Sequence, residues 1–321
     1  MKQLTIVSEF DETAVYANQF IKDGDVLYVS FAAFSPSGSG KPFNPGLFGK
    51  NGLACLFVCQ KWNHWWHTED MENIKQLIKE LANGRKVVLY GSSMGGYATI
   101  HYSDYFEADL SISIAPQVLI TPRFIEDVRW TSFRDKIAAL NFDERSNLAR
   151  LRGNIIVLSD HDFPLDEMHR AVVEECNTCQ NISFIHVPYS MHNTASAVVK
   201  SGVINEFIGS LVLGQNLSVQ RLKVDALTTY RDVNKLHLNF LRNHIIDLVK
   251  VTKEKQLLSL IESLSGEKSL DFEEAFMIAE IYKKLNKYKL ATEYSNLSLS
   301  LYPHENIPQY LLLKHKEVLG E

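Results

Sequence analysis

Lys86-Val87-Val88-Leu89-Tyr90-Gly91-Ser92-Ser93-Met94-Gly95-Gly96-Tyr97-Ala98-Thr99-Ile100 is the stretch whose reading decides the fold. Val87 to Tyr90 is an apolar run of strand length, and a small-residue helix pattern follows at once. Gly-x-Ser-x-Gly between the two has the form of a nucleophile elbow, a turn so tight that Cβ groups two residues either side of the serine would collide. The turn lifts the serine hydroxyl above the sheet and sets it at a helix N-terminus, where free backbone N–H groups can face an oxyanion. Only Ser93 has glycine at both flanking positions, so Ser92 is not the nucleophile. Gly96 adds room for close packing.

Behind such an elbow an acid and then a histidine follow in the chain. Residues 155–158 (Ile-Ile-Val-Leu) read as a buried strand that runs into Ser159-Asp160-His161-Asp162-Phe163-Pro164, with a helix pattern from Leu165. Asp160 and Asp162 both qualify as an acid in the turn after a strand. Asp162 is the expected one, three residues beyond the small residue Ser159 that ends the strand and just before the Phe-Pro helix start. Asp166 reads more simply as a first-turn charge favoured by the helix dipole. Ile182 to Val187 alternates like a strand and ends in Pro188-Tyr189-Ser190-Met191-His192-Asn193, ahead of a helix from Ala195 to Leu213. His192 is therefore the expected general base. Ser93 would attack a carbonyl, His192 would take its proton, and Asp162 would hold the imidazole tautomer. The oxyanion needs two donors. Met94 N–H is one, and the loop after the strand Asp25–Ala33 should supply the other, with Ala32 chosen and Ala33 and Phe31 close by. No His-Gly or Gly-Gly motif marks that loop.

Working outward, strands at Leu4–Val7, Asp25–Ala33, Leu53–Gln60 and Leu110–Ala115 alternate with helix patterns such as Glu69–Asn83, which implies a largely parallel sheet. Phe34–Gly49 is a Gly/Pro/Ser loop. Its Ser37-Gly38-Ser39-Gly40-Lys41 fails as a phosphate loop, because Ser35 stands where a glycine is needed and Pro42 where Ser or Thr should bind magnesium. An insert at 116–150 breaks the pattern; its Asp127, Arg129, Trp130 and Arg134 form a solvated face or a substrate lid with an anion-binding arginine. Trp62, His64, Trp65 and Trp66 follow a strand end on the side where the elbow opens, as sugar-facing rings or as core packing.

In this order of elements the chain resembles the α/β-hydrolase superfamily over about residues 1–213. Gly91–Tyr97, Lys61–Trp66, Ala115-Pro116-Gln117 and Asp127-Val128-Arg129-Trp130 further resemble a subgroup of bacterial proteins tied to surface-glycan and capsule loci. That resemblance implies an esterase or O-acetyltransferase working through an acyl-serine on an O-acylated carbohydrate. Trp62, His64, Trp65, Arg129 and Trp130 would then touch substrate, with acetyl-CoA as donor if the acyl group is transferred and otherwise no cofactor. The competing class is a non-catalytic hydrolase-fold interaction module.

The expected architecture is an α/β-hydrolase domain at 1–215 followed by an all-helical domain at 216–321. After position 215 there are 15 basic and 14 acidic residues, so the chain's net charge of −5 belongs to the first part. Ala275, Ile278, Ala279, Tyr282, Ala291, Ser298 and Pro303 fit a tetratricopeptide helix pair, with the start of another from Tyr310 to Val318. Such a pair cannot bury its own apolar face and must pack on the preceding helices, on the hydrolase domain or on another chain (a homo-oligomer or another protein), unless the region is a plain helical bundle. No long basic tract argues for nucleic acid. The absence of an apolar leader and of a membrane-length run leads to the expectation of a cytoplasmic chain with no membrane span. Cys55 and Cys59 share one strand face as buried thiols, and Cys176-x-x-Cys179 has no second ligand pair, so no metal is expected.

Overall fold

The computed structural model describes residues 4–121, 127, 136, 137, 139–161, 163–176, 182–187, 190–200, 270, 272–302 and 309–320. The chain divides into two units, Met1–Val233 and Asn234–Glu321. The expected boundary at 215/216 lies outside the described residues.

The first unit is built on an eight-stranded sheet. Its strands are β1 (Thr5–Glu9), β2 (Thr13–Ala17), β3 (Val26–Phe31), β4 (Cys55–Gln60), β5 (Lys86–Ser92), β6 (Leu110–Ile114), β7 (Asn154–Ser159) and β8 (Ile182–His186). Their spatial order is β1-β2-β4-β3-β5-β6-β7-β8. Only β2 runs against the rest, pairing antiparallel with β1 and β4, while β4 to β8 are parallel. The fold is that of the α/β-hydrolases. In β5 every residue after Lys86 is buried, as expected of a central parallel strand covered on both faces. Cys55 and Cys59 lie buried and free on β4.

Helices α1 (Pro45–Lys50), α2 (Asp70–Ala82), α3 (Met94–His101), α4 (Glu144–Leu148), α5 (Pro164–Cys176) and α6 (Thr194–Lys200) complete the described part of this unit. Helix α2 buries Met71, Ile74, Ile78 and Ala82 at helical spacing and stops at Asn83, whose left-handed φ of 44° ends the hydrogen-bond ladder. Helix α3 is buried at all eight positions, which explains its small residues. No helix among the described residues is long and apolar enough to cross a membrane.

The second unit contributes α7 (Phe272–Lys284), α8 (Tyr288–Ser300) and α9 (Gln309–Leu319). Helices α7 and α8 pack on each other across a short turn, burying Ala275, Ile278, Ala279 and Tyr282 with Ala291, Ser295 and Ser298. Ser295 Oγ meets His315 Nδ1 of α9 at 2.7 Å.

Candidate active site

The elbow is built as its glycines require. A Cβ on Gly91 would lie 2.4 Å from the Gly95 carbonyl oxygen, and one on Gly95 would lie 2.4 Å from the Phe31 carbonyl oxygen. Neither contact is tolerable, so β5, α3 and the end of β3 approach this closely only because both residues lack side chains. Ser93 sits between them at φ 56°, ψ −117°, a strained conformation costing roughly 1–3 kcal/mol that persists because its surroundings fix it. Ser93 N–H donates to Ile114 O and its carbonyl accepts from Tyr97 N–H, so both ends of the turn are tied down.

Ser93 Oγ lies 2.8 Å from His192 Nε2. His192 stands in a short 3-10 turn, Met191–Asn193, after β8. That turn is fastened by Ser190, whose hydroxyl donates to Val187 O and also meets Thr194 Oγ1. His192 Nδ1 lies 2.9 Å from both carboxylate oxygens of Asp166. Asp166 is in the first turn of α5 and is almost fully buried. The expectation that Asp166 is merely a dipole charge is therefore corrected: its carboxylate is aimed at the histidine. Asp162 lies outside the described residues. Asp160 is buried, with its carbonyl capping Phe163 N–H.

The oxyanion side needs one correction. Ala32 N–H is already donated to Val58 O, extending the β3–β4 ladder, and cannot serve a substrate. Ala33, one residue on, is the first whose N–H is not taken by a strand neighbour. Met94 N–H is among the first-turn donors that no helical carbonyl can satisfy. Gly95 packs closely against the Phe31 and Ala32 carbonyls, which sets the start of α3 against the end of β3.

Most of the tryptophan run is buried as packing. His64 and Trp65 have no exposed surface, and Trp65 packs on Phe34 of the loop after β3. Trp62 is half-buried and donates its Nε1–H to Glu12 at the β1–β2 turn. Trp65 and Trp66 are both left-handed, at φ 47° and 66°, an uncommon state for bulky residues. Three bonds to Trp66 hold it there. Its Nε1–H donates to Met94 O, its N–H donates to His64 Nδ1, and its carbonyl accepts from the Tyr102 hydroxyl. The run is thus a brace under the elbow, which sequence reading missed because Met94 is distant in the chain. Arg129, Trp130 and Arg134 lie outside the described residues. Asp127 is buried and bonded to His169 Nε2 of α5 at 3.0 Å. Among the described residues no cluster of His, Cys, Asp or Glu is arranged to hold a metal.

A layer of neutral histidines underlies the site. His67 Nδ1 accepts from Asn141 N–H, and its Nε2 meets the Tyr97 hydroxyl at 2.7 Å. His101 Nε2 donates to Val118 O and its Nδ1 accepts from Asn147. Burial pushes His64 down to about 4, His67 to about 3 and His101 to about 4. In the unfolded chain these rings bind protons near pH 6.5. Between about pH 6.5 and 4 the unfolded state therefore holds more protons than the native one, and stability falls as pH falls. Each ring contributes up to ~1.4 kcal/mol per pH unit below 6.5. The expected result is a urea midpoint that drops steeply from pH 7 to pH 5, before carboxylates titrate. A flat midpoint across that window would contradict the neutral assignment.

No family model matches the chain, and no curated protein matches it. Among solved structures, the fold is similar to a capsule O-acetyltransferase of Neisseria meningitidis serogroup A, with TM-score 0.48 and 16% identity over 64% of this chain and 92% of that one. An esterase of Pyrococcus furiosus gives TM-score 0.45 and 10% identity over 66% and 93%. The acetyl xylan esterase of Paenibacillus sp. R4 gives 0.44 and 10% over 65% and 88%. At such values the likeness carries no chemistry to this chain.

Proposed function

We propose that the protein is a serine acyl-transfer enzyme that forms an acyl-serine at Ser93. The observation that carries this is the line from Ser93 Oγ through His192 to Asp166, with both steps at hydrogen-bond distance. His192 accepts the Ser93 proton as Oγ attacks an ester or thioester carbonyl. Asp166 fixes the imidazole with its Nδ1–H toward the carboxylate and stabilises the imidazolium. Met94 N–H and Ala33 N–H receive the oxyanion. His192 then returns the proton to the leaving group and next activates the incoming hydroxyl or water.

Within that chemistry the acceptor or substrate we favour is an O-acylated sugar. Support comes from the resemblance carried by Gly91–Tyr97, Ala115–Gln117 and Asp127–Trp130 to glycan-locus esterases and acetyltransferases. The buried Trp65 and His64 no longer contribute to that support. Acetyl-CoA is the donor in the transfer direction, and water is the acceptor in the hydrolytic one.

Acyl-enzyme mass spectrometry tests the reading. After brief incubation with an aryl acetate or with acetyl-CoA, followed by acid quench, the peptide carrying Ser93 should gain one acetyl group. A fluorophosphonate should label the same residue. A chain that takes up neither acetyl group nor phosphonate is not this enzyme and returns the non-catalytic reading to first place. A sugar acceptor that speeds release of the acetyl group marks transfer; indifference to it marks hydrolysis.

A further inference from the structure

We infer that Gln117 is a further catalytic residue, whose side-chain amide donates an N–H to Ser93 Oγ and so directs the hydroxyl proton to His192. The inference rests on the reading of Ser93 as nucleophile.

Two groups meet Ser93 Oγ: His192 Nε2 at 2.8 Å and the Gln117 amide, with Oε1 at 2.9 Å. A hydroxyl has one proton to give and two lone pairs to fill. His192 Nδ1 faces the Asp166 carboxylate, so in the neutral ring Nδ1 carries the hydrogen and Nε2 accepts. If the amide presents its oxygen, two acceptors compete for one proton. In either orientation the outer amide atom, buried with the rest of Gln117, has no partner among the described residues, so the choice is decided at Oγ. A half-turn of the amide leaves its shape unchanged and exchanges oxygen for nitrogen. Oγ then accepts from Gln117 and donates to His192. During attack Oγ bonds to the acyl carbon, its proton moves to His192 Nε2, and the carbonyl π electrons move to the oxyanion. The amide keeps its own hydrogens and holds one lone pair of Oγ, leaving the other aimed at the acyl carbon while the charge passes to the carbonyl oxygen.

The segment that carries Gln117 is fixed on every side. Ala115 takes a left-handed φ of 43°, which an alanine adopts only where its surroundings insist. Pro116 lies so near the elbow helix that a Cβ on Gly96 would be 3.0 Å from its Cα. His101 donates to Val118 O, His169 Nδ1 accepts from Leu119 N–H, and the Glu144 carboxylate accepts from Ile120 and Thr121 N–H. Four consecutive residues gripped by buried side chains hold the amide against Oγ.

The test is the rate of fluorophosphonate labelling of the full-length chain from pH 5.5 to 8 for wild type, Gln117→Leu and Gln117→Glu, with melting temperatures measured alongside. Gln117→Leu should slow labelling by ~10²-fold, the scale for one lost donor. Gln117→Glu should be at least as slow at pH 8, where a carboxylate faces Oγ. Its rate relative to wild type should climb as pH falls and the protonated carboxyl donates in place of the amide. A merely structural role would leave that ratio flat. Gln117→Glu matching wild type at every pH overturns the inference, as does an unaffected Gln117→Leu. If Gln117→Leu fails to fold, the isosteric Gln117→Glu decides. A wild type that never labels overturns this inference and the Ser93 reading together; labelling at Ser93 with unchanged variants overturns this one alone.

Discussion

Ser93→Ala loses ~10⁴-fold or more in turnover on any accepted ester, with no acyl-enzyme and no phosphonate label, as removal of a nucleophile does in enzymes of this chemistry. The substitution deletes one oxygen and leaves the Cβ, so the elbow and its strained φ of 56° stay as built. What remains is His192, free to activate water slowly. Ser92→Ala is the control. Ser92 belongs to β5 and is paired through its backbone with Ile114, and its loss should cost little. Steady-state turnover of an aryl acetate by the two variants settles the matter: equal activity would mean the wrong serine has been assigned.

Asp166→Asn is expected to lower turnover by roughly 10⁴-fold while the protein folds normally, in line with acid-to-amide changes in comparable triads. An asparagine either donates to His192 Nδ1 and forces the wrong tautomer, or accepts without stabilising the imidazolium. The buried carboxylate, 2.9 Å from Nδ1 through both oxygens, makes the site sensitive to either fault. Asp162→Asn and Asp160→Asn run alongside. A full loss in Asp162→Asn with an active Asp166→Asn would return the role to the turn after β7.

The elbow was legible because its requirements are local. Two glycines, a β-rich run and small helical residues all lie within fifteen positions of sequence. The central parallel strands β3, β4, β5 and β7 were legible for the same reason, since both faces are buried and the apolar runs are long. Strand β2 escaped notice: Thr13–Ala17 is short, shows no alternation in burial, and exists as a strand through antiparallel pairing with Val58 and its neighbours on β4. The same distance hid the use of the Ala32 amide. Ala32 and Ala33 look equivalent until the β3–β4 register assigns one amide to Val58 O. Asp166 was set aside because a first-turn acid already has a sufficient local explanation. Its second use appears only when the ends of β7 and β8 are side by side and residues 26 positions apart are brought together. The tryptophans left two readings open in the sequence, because exposed rings and buried rings have the same letters and the bond from Trp66 to Met94 is set by packing.

The acid's address on a helix has an evolutionary consequence. An acid held in a strand-end turn is hostage to the length of that turn, and a single inserted residue carries it out of reach. Asp166 instead takes its position from α5, which is anchored by Leu165 and Val173 in the core and by His169 against Asp127. Drift in the turn at 160–163 can then be absorbed without moving the carboxylate. Kin descended from the same ancestor are expected to differ freely in that turn, and surveys that align acids by their distance from the preceding strand would overlook them.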